Sequence, residues 1–192
     1  MLTTKQIKLL ELLDEQILSC NECDLWTGGC CKPSYTKNSS FVAVGEAPGE
    51  EEVGKMPFIG KAGKLLWKIA EPIGFQRSDF LIVNSVNCRP IDEDGYNGKP
   101  TEEQTETCDE WVRKYIRIIR PEKIILMGTY AVKKFFPQYK SGLTKRNGTI
   151  EHLEYHGLTI KAILSVHPAY GLYNKLAGIP MLKNSLEVFK NV

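Results

Sequence analysis

No stretch of this chain is apolar for long enough to cross a bilayer, because its longest hydrophobic runs are of strand length. The first residues mix Lys5 and Lys8 with Glu11 and Asp14, which is not the pattern of a secretion signal. No internal repeat and no low-complexity tract is present. There is no phosphate-binding loop ending in Lys-Ser/Thr and no dinucleotide fingerprint, which argues against the usual nucleotide-cofactor enzymes. Histidine is scarce, at three residues. Acidic residues are scarce in one half only. Residues 111–192 carry 14 Lys/Arg against 4 Asp/Glu, net +10, whereas residues 1–110 carry 11 against 19, net −8. The overall charge of +2 conceals this asymmetry. A basic half suits an anionic partner, most simply a nucleic-acid backbone, although a solvated basic face fits the charge equally well.

What is present fits one domain spanning residues 1–192: a chain of this length that is 42% hydrophobic can bury one sizeable core. Thr3-Thr4-Lys5-Gln6 reads as a capping box, after which Leu10, Leu13 and Ile17 mark one helical face. Strands are expected at Phe41–Gly45, Phe80–Val86, Lys123–Met127 and Thr159–Val166. Helices are expected at Lys61–Ile73, from a second capping box at Thr101–Gln104 to Arg120, at Tyr130–Phe136, and after Pro180. His152 and His156 fall in a polar hairpin with no assigned role. Apolar strands alternating with helices imply an α/β fold, a parallel sheet covered on both faces. Such sheets bind ligands beyond the carboxyl ends of their strands. Three unusual segments fall there: Val44–Gly63, "VGEAPGEEEVGKMPFIGKAG"; Asn84–Pro90, "NSVNCRP"; and His167–Tyr170, "HPAY".

The first of these crowds five glycines, two prolines and four glutamates around a lone Phe58. The six cysteines also carry chemistry. Cys20 and Cys23 have the spacing of a metal-binding pair, Cys88 follows a strand, and Cys108 lies in an expected helix. Four thiolates from these elements suit either a tetrahedral zinc or an iron–sulfur cluster. Cys30 and Cys31 are adjacent and are expected to be bystanders.

Taken together, Cys20-x-x-Cys23, "GEAPGEEE", "KMPFIGKAG", "NSVNCRP", Cys108 and "HPAY" resemble, in order and rough spacing, the iron–sulfur (family 4) uracil-DNA glycosylases. The resemblance spans most of the chain. It implies a three-layer α/β/α sandwich with a four-stranded parallel sheet, and a [4Fe–4S] cluster on Cys20, Cys23, Cys88 and Cys108. It implies that uracil-containing DNA, single- or double-stranded, is bound by a monomer in the cytoplasm of a bacterial, archaeal or phage-infected cell. The implied reaction flips deoxyuridine from the stack and hydrolyses its N-glycosidic bond.

The same resemblance implies roles for individual residues. Asn84 reads the N3–H and O4 edge of uracil, and Phe58 stacks on its face. His167 donates to O2 as negative charge develops there. Glu46 lies where related families carry glutamine, and Ala47 where they carry a water-activating aspartate. Glu46 is left to position water or stabilise the sugar cation, with Ala47 lining the uracil site. Glu52 blocks the 5-position and excludes thymine. Leu172 enters the duplex where the base has left. Independently of the resemblance, the basic half offers Lys145, Arg146 and Lys175, on or near loops, as contacts to the DNA backbone. The chain departs from the family in three places. Tyr173 stands where an arginine is usual, Lys55-Met56 replaces a Gly-Arg pair, and Ile91–Pro100 is longer than typical and expected to point into solvent. A catalytically silent relative that binds uracil or DNA is the alternative.

Overall fold

The computed structural model describes residues 1–192. Five strands form the sheet: β1 (Phe41–Gly45), β2 (Phe80–Asn84), β3 (Lys123–Met127), β4 (Ile150–Tyr155) and β5 (Leu158–Ser165). The helices are α1 (Thr4–Leu18), α2 (Lys61–Ile73), α3 (Glu102–Thr107), α4 (Asp109–Ile119), α5 (Thr129–Phe135), α6 (Leu143–Arg146), α7 (Pro168–Tyr173) and α8 (Lys175–Asn191). The strand order is β2-β1-β3-β5-β4. The first four are mutually parallel, so Gly45, Asn84, Met127 and Ser165 end along one edge.

The expectation of four strands is corrected by β4, which pairs antiparallel with β5 and adds a fifth. Its polar sequence reads as a surface hairpin because only one side of it is covered. Leu153 and Tyr155 face the core, while His152 and Glu154 remain exposed. An edge strand needs only that one apolar row.

Period-two alternation divides the core. Val42, Val44, Leu81, Val83, Ile124 and Leu126 meet α1, α4 and α5 on one face of the sheet. Ala43, Ile82, Ile125 and Ile163 meet α2 and α8 on the other. Both expected capping boxes form, with Thr3 bonded to Gln6 and Thr101 to Gln104.

Two helix boundaries differ from expectation. The helix opened by Thr101 breaks at Cys108, which ends α3 and begins α4. The last helix begins at Lys175, with Pro180 inside it. The sequence reading let proline set the start, but Asn174 caps α8 by accepting from Ala177 N–H (3.2 Å). Packing fixes the earlier start. At Gly178 any Cβ would lie 2.7 Å from the Cα of Gly171, so α7 and α8 cross at glycine–glycine contact.

Candidate active site and cysteine cavity

Gly45 and Asn84, the last residues of β1 and β2, sit side by side in register. A Cβ on Gly45 would overlap Asn84 Oδ1 and come 2.7 Å from Phe58 Cζ. Glycine is what allows amide and ring to converge there. Asn84 is only 4% exposed, and its Oδ1 lies against Gly45 beside the Phe58 ring. A side-chain amide at a strand's carboxyl end carries one acceptor and two donors, the groups needed to read the edge of a base.

Phe58 is buried and holds a left-handed backbone, φ 56°. That conformation costs a bulky residue on the order of 1–3 kcal/mol. Its ring lies 5.9 Å, centroid to centroid, from His167. His167 caps α7: its Nδ1 accepts from Ala169 N–H at 3.2 Å. The proton of the neutral ring is therefore on Nε2, the nitrogen free to donate. Burial pushes the His167 pKa down to about 4, so the ring is neutral at pH 7.

Gly128, at the end of β3, closes the other side. A Cβ there would stand 3.1 Å from His167 Cβ and 3.3 Å from Glu46 Oε2. Glu46 and His167 thus flank one glycine. Burial raises the Glu46 pKa, and Lys99 opposes that shift. Ala47 turns its methyl toward Leu25, Val86, Cys88 and Cys108, so it offers a ligand only backbone.

Glu52 is buried and binds its own loop. Its carboxylate accepts from Gly49 N–H (3.2 Å), Ile59 N–H (3.2 Å) and Gly60 N–H (3.5 Å). The long Ile91–Pro100 segment is exposed, as expected, but tethered. It forms a bridge between Ile91 and Asn97. Arg89 donates to Asn97 Oδ1 (2.7 Å) and the Gly95 carbonyl (3.1 Å). The rim residues divide. Lys145 and Arg146 end α6, directly before Asn147, whose Oδ1 accepts from Val166 N–H (2.9 Å) next to His167. Lys175 opens α8. Leu172 is 36% exposed, but Tyr173 and Leu176 stand farther out at 88% and 93%. Sequence reading missed Leu176; its only signal was an apolar residue one place past the Asn174 cap and Lys175.

Cys20, Cys23, Cys88 and Cys108 line one cavity, roofed by Leu25, Trp26 and Trp111. The four thiols do not converge on a point that would hold a single ion. Asn87 donates to Cys108 Sγ (3.9 Å) while its buried Oδ1 lacks a partner. Burial pushes Cys108 up to about 11 and also raises Cys23. Cys31 is buried away from the cavity wall. Cys30 lies beside the cavity: its backbone bridges Cys88, and its Sγ donates to the Ile17 carbonyl (3.8 Å).

Residues 33–190 match the model of the uracil DNA glycosylase superfamily. The chain belongs to that superfamily. Three relatives named type-4 uracil-DNA glycosylase match it over 80–89% of their own length. The one from Archaeoglobus fulgidus is 33% identical, covering 93% of this chain and 89% of its own. The Sulfurisphaera tokodaii protein is 35% identical, covering 93% and 80%. The Thermotoga maritima protein is 33% identical, covering 88% and 85%. Within this glycosylase superfamily member, the edge where Asn84, Phe58, His167 and Glu46 gather is the candidate active site. No helix is long and apolar enough to cross a membrane.

Proposed function

We propose that this chain is a uracil-DNA glycosylase, acting as a cytoplasmic monomer of one domain on DNA in single- or double-stranded form. The observation that carries the reading is the gathering of the buried Asn84 amide, the Phe58 ring and the Nε2–H of His167 at one sheet edge. Deoxyuridine leaves the stack and enters between them. Phe58 covers one face of the base. Asn84 accepts from N3–H and donates to O4; cytosine presents the opposite pattern and leaves the amide mispaired.

The C1′–N1 bond then breaks with its electron pair leaving on uracil. Negative charge grows on O2, where His167 donates from Nε2. A neutral donor suits this step because it stabilises the charge without giving up its proton, an effect of about 10²–10³ in rate. Glu46 sits across Gly128 from His167, placed to hold water or face the sugar cation. Water adds to C1′, leaving an abasic site and free uracil. Glu52 blocks the 5-position against thymine, and because its carboxylate also ties the loop, truncating it costs uracil excision too. The corner from Leu172 to Leu176 supplies the apolar wedge, and Lys145, Arg146 and Lys175 supply backbone contacts.

The four cavity cysteines fit a [4Fe–4S] cluster, with Asn87 beside the ring of thiols. When bound, that centre joins α1, the end of β2 and the α3–α4 break, adding folding free energy. Metal analysis is expected to find about four iron per chain; stoichiometric zinc would overturn this part. The function is tested with strands carrying one uracil, cytosine or thymine, cleaved by alkali after incubation. Only the uracil strands should break.

A further inference from the structure

Phe58 could not stand where it does by its own preference. A left-handed backbone at a phenylalanine persists only when its surroundings fix it. We propose that Arg77 and Trp67 are positioning residues that latch the Pro57–Phe58 backbone and so set the ring against the base. The proposal rests on the reading of Phe58 as the stacking residue.

The contacts are specific. Trp67 Nε1–H donates to the Phe58 carbonyl at 3.1 Å. Arg77 donates to the same carbonyl from Nη1 (3.3 Å) and to the Pro57 carbonyl from Nη2 (2.6 Å). The guanidinium also lies over the Trp67 ring, 5.4 Å from its centroid. Gly63 packs so close beneath that any side chain there would overlap the Phe58 carbonyl. On the other side, Glu52 accepts from Ile59 and Gly60 N–H. The loop's peptide groups therefore run from a guanidinium at their carbonyls to a carboxylate at their N–H groups. Arg77 is half-buried, and its guanidinium donors go to these two carbonyls rather than to a carboxylate. Burying a cation is costly unless its donors are used, and here they are used to hold one strained loop. Arg77 also begins the turn that enters β2, and Asn84 ends β2. One side chain thus ties the stacking ring to the strand that carries the readout amide.

The test is a double-mutant cycle on the full-length protein, read by single-turnover excision of uracil and by inhibition with free uracil. Arg77→Met is expected to lower the rate about tenfold or more, since small misplacements near the reacting atoms are that costly. It should weaken uracil inhibition to a similar degree. In a Phe58→Ala background the same change should cost less than about twofold, because the ring being positioned is gone. Arg77→Lys, which keeps the charge and one donor, should recover part of the loss. Equal losses in both backgrounds would assign Arg77 to general stability and overturn the latch, as would a parental rate in Arg77→Met. A parental rate in Phe58→Ala would remove the stacking role, and the latch with it. Thermal melting checks the fold. If Arg77→Met does not fold, Trp67→Phe, which keeps an aromatic ring but loses the indole N–H together with its five-membered ring, carries the same cycle with the same outcomes.

Discussion

At the scale of single residues, two titratable groups facing one glycine divide the pH response between them. Burial moves Glu46 up and His167 down to about 4. In the proposed role Glu46 works as a carboxylate, so the rate should fall as pH drops through its raised pKa, placing the acid limb above the ordinary carboxylate value. His167 is already neutral across that range and adds no limb of its own. Glu46→Gln should lower the rate and remove the limb. A parent profile flat down to pH 4.5 would contradict the assignment. These residues were legible in the sequence because each sits in a short motif at a strand end. The latch was not. Trp67 lies in an expected helix and Arg77 in no motif; only the fold shows that both donate to the Phe58 carbonyl.

At the scale of elements, α1 and α4 are joined by a buried polar pair. Asp14 accepts from Tyr115 (2.5 Å) and Tyr35 (3.1 Å) within an otherwise apolar layer. Asp14→Ala leaves two hydroxyls unpaired and should destabilise the fold by about 1–3 kcal/mol in urea unfolding. Unchanged stability would contradict the contact. Burial raises the Asp14 pKa, so the folded state holds this proton more tightly than the unfolded one. Its contribution is full at low pH and is lost as pH rises through the raised value. Element boundaries show where local signals end. Both capping boxes and β1 and β3 were readable to the residue, because caps and short apolar runs are local. The break at Cys108 and the run of α8 through Pro180 were not. The first serves the cysteine cavity and the second the Gly171–Gly178 crossing, both set by distant parts of the chain.

At the scale of the molecule, parallel pairing delivers Gly45, Asn84, Gly128 and His167 to one edge, and the basic half frames it. The alternating pattern of strands and helices made that edge predictable, while the one-sided β4 kept the fifth strand hidden. Lys145, Arg146 and Lys175 should bind DNA through counterion release, so affinity should fall steeply with salt. Reversing their charges should flatten that dependence, and an unchanged slope would contradict their placement on the rim. The central claim is that this edge excises uracil through a hydrogen bond that strengthens only as the bond breaks. The direct measurement is single-turnover excision by parent and His167→Ala, alongside their affinity for the same uracil strand. The account predicts a loss of roughly 10²-fold or more in rate with affinity nearly unchanged; excision by His167→Ala at the parent rate would contradict it.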